Sequence, residues 1–174
     1  MNIFFLDKNN KKCVKLYVNK HVVKMILEHL QLLCSVHHIC NQDIEFPKYT
    51  PPYKLTHKNH PCAKWIRNSL ENYLYIIDLT KELCKEYTFR YNKIHKCEQY
   101  LKELEENLPS IPSIGFTLPA LAMPNDYKYN NTKELDDVIE SYRQYYFFEK
   151  RHIFDWKNRP VPDFIKEYED MFES

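Results

Sequence analysis

Gly115 is the only glycine among 174 residues, and that scarcity removes whole fold classes. The tight turns that cradle phosphates against a helix start need several glycines, so P-loop and dinucleotide-binding folds are excluded. Helices must also end on asparagine or proline instead of the commoner glycine cap.

Hydrophobic spacing then gives the elements. From Lys20 to about Cys40, apolar residues recur at Val23, Ile26, Leu27, Leu30, Leu33 and Cys34, the period of a helix packed on a core. Beside them His21, Lys24, Glu28, Gln31, Ser35 and His38 form a polar stripe in steps of three and four. The stripe reads either as the lining of a groove or as a solvent face with a weak Lys24–Glu28 pair. Pro61, with Asn59 or His60 as its cap, opens a rod that carries Ile66, Leu70, Tyr73, Ile77, Cys84 and Tyr87 on one side and is ended by Asn92. Ile94 to Leu108 marks a further helix stopped by Pro109. Asn131 and Glu134 resemble a capping box that starts a helix through Val138, Tyr142, Tyr145, Tyr146 and Glu149. Pro160 and Pro162 turn the chain into a last acidic helix, Asp163 to Phe172. Asn2 to Asp7 reads as a short buried strand or extended segment, with Asn9 and Asn10 capping a short helix from about Lys11 to Val18.

Two stretches have no helical period. Asn41 to Asn59 is a Pro-rich surface loop. Leu108 to Tyr129 also breaks on prolines, yet Ile111, Ile114, Phe116, Leu118, Leu121 and Met123 make it too apolar for a disordered linker. It is expected to lie ordered on the core. The predicted fold is mainly α, a compact single-domain helical bundle over residues 1–174 with long ordered Pro-rich loops. Its 44% apolar content is enough for one core.

A net charge of +1 excludes binding of nucleic acid by bulk charge, so a polyanion site has to be local. Six cysteines without a C-x-x-C pair read as free thiols of a reducing compartment. Ile3 to Leu6 is too short for a signal peptide, and no apolar run approaches membrane-spanning length. A soluble intracellular protein without a membrane partner is expected.

Three segments combine basic with polar or aromatic residues. HKNHPCAKWIR sets His57, Lys58, His60, Lys64 and Arg67 around a helix start, with no acid before Glu71. Free N–H groups and positive charge there attract an anion. YTFRYNKIHK places Arg90, Lys93, His95 and Lys96 among Tyr87, Phe89 and Tyr91, a composition that holds phosphates and stacks bases. YRQYYFFEKRH adds Arg143 and Lys150. The candidate phosphate-binding residues are therefore His57, His60, Lys64, Arg67, Arg90, Lys93 and Arg143; the plainer alternative is solvated charge beside core tyrosines. His37, His38 and Cys40, and likewise His57, His60 and Cys62, lack the paired spacing of structural zinc sites. No nucleophile elbow or cysteine-protease context occurs, and neither metal nor cofactor is expected.

The order of the segments KHVVKMILEHLQLL, THKNHPCAKWIR, YTFRYNKIHK and WKNRPVPDF resembles a family of small uncharacterised proteins of phages and large DNA viruses, over most of the chain. More distantly, the helix with His21 and Glu28, the His60-Pro61 helix opening and the late Arg159-Pro160 resemble the helical pyrimidine-dimer DNA glycosylases of phages and bacteria. The seven-residue step from His21 to Glu28 is similar to the segment that holds that family's catalytic glutamate. The resemblance implies Glu28 as catalytic carboxylate, accompanied on its stripe by His21 and Lys24. Two features depart from the family. Its nucleophile is the N-terminal amine of a small residue exposed by methionine removal, whereas Asn2 follows Met1 here, and the arginines flanking its glutamate are replaced by Leu27 and Gln31. Lys24, one turn before Glu28, is an alternative amine.

The function expected is a DNA-acting glycosylase and abasic-site lyase in DNA repair. The alternative is a non-enzymatic viral protein that binds nucleic acid or a phosphorylated nucleotide, and behind both stands a helical interaction protein without a ligand. The partner is DNA or a phosphorylated nucleotide; DNA against RNA, and the oligomeric state, stay open.

Overall fold

The computed structural model describes residues 1–174 and contains helices and no strands. In chain order they are α1 (Asn10–Lys15), α2 (Asn19–Cys40), α3 (Pro61–Asn68), α4 (Leu70–Tyr91), α5 (Leu101–Glu106), α6 (Leu135–Lys150) and α7 (Asp163–Glu173), with 3-10 turns at Lys96–Tyr100, Asn125–Tyr127 and Arg151–Ile153. No helix is long and apolar enough to cross a membrane.

α2 is the axis. It packs against both α3 and α4, and α1 also packs on α4. Ile26, Leu30, Leu32, Leu33 and Cys34 are fully buried, and so is Val22; each such aliphatic side chain contributes about 1.5–3 kcal/mol by leaving water. The expected faces are only partly right, because Val23 and Leu27 are exposed while His21, Glu28, His29, Ser35 and His37 are buried. Of the polar stripe only Lys24 is exposed. The N-terminal segment and the loop before α3 cover it: Ser35 Oγ accepts from Thr56 N–H at 3.1 Å, and His38 Nε2 meets the Tyr53 carbonyl at 2.8 Å.

Helix ends use asparagine as the glycine shortage requires. Asn92 caps α4 in the left-handed region (φ 51°), and Asn41 and Asn107 terminate α2 and α5. Asn9 caps α1 through its side chain, accepting from Lys12 N–H. His60 does the same for α3, accepting from Cys62 N–H with Pro61 at the first helical position. The predicted rod from Pro61 is two helices, because Ser69 is extended (φ −150°, ψ 143°). The Pro-rich loop enters the break: Ser69 Oγ donates to Gly115 O at 2.7 Å, and Leu70 N–H donates to Pro112 O at 2.8 Å. The capping box before α6 lies three residues beyond the predicted one, at Glu134 and Asp137, and Asn131 occupies a left-handed turn instead (φ 62°).

The loop over 108–129 lies on the core through Ile111, Leu121 and Met123, whereas Ile114, Phe116 and Leu118 are exposed and hydrogen bonds fix the chain there instead. Asn72, fully buried on α4, donates to Trp65 O and Thr117 Oγ1 and accepts from Thr117 N–H. Trp65 Nε1 donates to Thr117 O, and the Tyr142 hydroxyl to Ala120 O. All six cysteines are free thiols.

Candidate functional site

The first six residues decide where the site lies. Ile3 to Leu6 are buried and lie outside any helix, so their backbone groups need other partners. Phe4 O accepts from the Tyr17 hydroxyl at 2.7 Å, Leu6 O accepts from Arg143 Nε at 2.9 Å, and Leu6 N–H reaches Cys13 Sγ. The Asn2 side chain donates to Ala122 O at 2.9 Å and accepts from Ile3 N–H at 2.8 Å. Held at both ends, the segment lays its start against Glu28 in the middle of α2.

Three nitrogens converge on that carboxylate. The Met1 ammonium is 3.6 Å from Glu28 Oε2, Asn2 N–H donates to the same oxygen at 3.2 Å, and Lys24 Nζ is 3.2 Å from Oε1. Burial pushes the Glu28 carboxyl up, but the Met1 ammonium, Lys24 and the Asn2 N–H together outweigh it and hold the group below its ordinary value. It is an ionised carboxylate at neutral pH. The Met1 side chain is only 5% exposed although the residue as a whole is half-buried. The open part of Met1 is therefore its main chain, which carries the amine.

His21, two turns before Glu28, is 7% exposed and stacks on Phe4 with ring centroids 4.5 Å apart. Its Nδ1 meets the Tyr146 hydroxyl at 2.8 Å. Burial, reinforced by Lys150, pushes the imidazole down to about 4, so it is neutral. His60 approaches from the start of α3; burial and then the Met1 ammonium lower it as well.

The structure thus gathers Glu28, Lys24 and His21, with His60 beside them. It scatters the other candidates. His57 is exposed in a left-handed turn (φ 49°), with Nδ1 2.6 Å from Thr56 Oγ1. Lys64 and Lys93 are exposed, and Arg67 Nη1 donates to Lys58 O, stapling the loop to α3. Arg90 is not a phosphate ligand. It is 2% exposed, paired with Glu86 at 2.9 Å, and it donates to Tyr17 O, Asn19 Oδ1 and Lys15 O; these oxygens occupy the N–H groups a phosphate would need. Arg143 is also engaged, bonded to Leu6 O and lying over the Phe164 ring at 5.2 Å. Arg159 closes the same internal knot as Arg90, its Nε and Nη2 each donating to Glu86 at 2.9 Å.

Residue reasoning did not single out Tyr146 or the amine of Met1. The aromatic period of α6 marked Tyr146 as core, and nothing local ties it to a histidine 125 positions away. Lys24 lines a concavity of about 380 Å³ together with Asn19, Lys20, Val23 and Tyr91. Lys157 Nζ sits 5.3 Å over the Tyr91 ring. A second concavity, about 490 Å³, lies at the other end of α2 around His37, Tyr49 and Leu108, apart from these groups.

The family model described as pyrimidine dimer DNA glycosylase matches residues 1–99. No curated protein and no solved structure matches the chain.

Proposed function

The chain belongs to the pyrimidine dimer DNA glycosylase family, and from that premise we propose that it excises a pyrimidine of a dimer in duplex DNA and then cleaves the strand as a lyase. The observation that carries this is the amine of Met1 at 3.6 Å from the buried carboxylate of Glu28. An uncharged amine there attacks C1′ of the damaged nucleotide; the N–C1′ bond forms as the glycosidic bond breaks, and its electron pair leaves on the base. Glu28, ionised, stabilises the cationic sugar and takes the proton the amine sheds. Returned to the ring oxygen, that proton opens the sugar to an imine. Glu28, ionised again, takes a C2′ proton, and the electron pair left behind expels the 3′ phosphate and breaks the strand.

Two other nitrogens touch the same carboxylate. Asn2 nitrogen would become the terminal amine if Met1 were removed, and it lies at 3.2 Å from Oε2. Lys24 is 68% exposed at its side chain. We favour Met1, because the open part of that residue is its main chain, whereas Asn2 is 9% exposed with its side chain tied to Ala122. Exposed Lys64 and Lys93, with His57, supply phosphate contacts. A viral source, expected from the order of segments, is part of the same proposal.

The test is incision of a duplex carrying one pyrimidine dimer. Wild type is expected to cut it, and Glu28→Gln to lose at least about 100-fold in rate while its affinity for the duplex stays within about threefold. A well-folded Glu28→Gln protein with full activity would remove Glu28 from the chemistry. A wild type that binds the duplex and leaves it intact would favour the binding-only alternative.

A further inference from the structure

On that glycosylase reading, we propose that Tyr146 of α6 is a positioning residue: its hydroxyl fixes His21 as the tautomer with its proton on Nε2, presenting one N–H donor to a sugar-phosphate oxygen of the DNA beside Glu28. A tyrosine hydroxyl has one proton to give. The Tyr146 oxygen already accepts from Val18 N–H at 2.9 Å, and the acceptor in reach of its own proton is His21 Nδ1 at 2.8 Å. Nδ1 therefore accepts, and a neutral ring must carry its hydrogen on Nε2.

The ring has little freedom to do otherwise. Phe4 stacks on one face, nearly parallel at 18°, and Tyr146 tilts against it at 5.3 Å. Nε2 has no protein partner and is not among the buried unpartnered atoms, so it is the edge open to solvent. The charged groups around the ring are Lys24 and Glu28 of α2 and Lys150 of α6, and burial with Lys150 keeps the ring neutral against the pull of Glu28. Such a group donates a hydrogen bond and does not hand over its proton. A donor fixed in advance spends nothing on reorientation when the substrate arrives. Tyr146 lies outside residues 1–99, so the C-terminal part of the chain enters the site through this contact.

The experiment uses the full chain with ¹⁵N-labelled histidine. Long-range ¹H–¹⁵N correlation of the free protein at pH 7 is expected to show His21 Nδ1 unprotonated and Nε2 protonated, with the preference lost in Tyr146→Phe. Single-turnover incision of the dimer duplex is compared for wild type, Tyr146→Phe, His21→Ala and the double variant. Tyr146→Phe is expected to slow incision about tenfold and to cost nothing further in the His21→Ala background. A proton on Nδ1 in wild type overturns the proposal, whatever the fate of the variants. An equal loss in both backgrounds overturns it too, since Tyr146 would then act through Val18 or packing. If wild type fails to cut while His21 shows the Nε2 tautomer and loses it in Tyr146→Phe, the positioning stands and the glycosylase reading falls.

Discussion

Burying an imidazole favours its neutral form, and α2 does this three times. Burial pushes His21, His29 and His37 each down to about 4, with Lys150 adding to it at His21 and His38 at His37. Between about pH 6.5 and 4 the unfolded chain binds protons that the folded chain refuses. Stability is therefore full above about 6.5, falls as pH drops towards 4, and levels off below, by at most a few kcal/mol per histidine. Urea unfolding at pH 7, 6 and 5 is expected to give a steady loss, and equal midpoints at all three would contradict it. At this scale the sequence was readable where period decides: the seven-residue step put Glu28 and His21 on one face of α2. Arg90 was not readable, because a basic residue in an aromatic segment looks the same whether its guanidinium meets water or the oxygens of Tyr17, Asn19 and Lys15. Those partners lie more than seventy positions earlier and belong to tertiary structure.

Among the elements, the join of α3 and α4 carries the Pro-rich loop, and Asn72 is its latch. Replacing Asn72 by Ala leaves Trp65 O and Thr117 N–H without their partner. Two buried groups unpaired cost about 2–4 kcal/mol, read as a lower urea midpoint, and the loop around Thr117 should become the first site of proteolytic cutting. Unchanged stability with a protected loop would mean the latch holds nothing. The starts and ends of these helices were legible from Pro61 and Asn92, whose local chemistry dictates a boundary. The break at Ser69 was not, since serine is no strong breaker and the hydrogen bonds that open it come from Pro112 and Gly115. Val23 and Leu27 misled in the same way: an apolar period predicts one buried face, whereas α2 is enclosed on several.

At the level of the whole molecule, residues 1–99 hold the amine, Glu28 and His21, and the remainder holds them in place. Ala122 anchors Asn2, Arg143 anchors Leu6, and Tyr146 meets both Val18 and His21. One core cluster includes Phe5, Ile26 and Ile77 together with Tyr142, Phe147 and Phe164, so the two parts of the chain fold as one body around the N-terminal segment. The proposed chemistry rests on that placement of a main-chain amine against a buried carboxylate. Borohydride trapping on a dimer-containing duplex, followed by peptide mapping of the protein–DNA adduct, tests it most directly. A reduced adduct on the α-nitrogen of Met1 in the peptide Met1 to Lys8 is the expected result, and an adduct on Lys24, or none while the strand is cut, would contradict it.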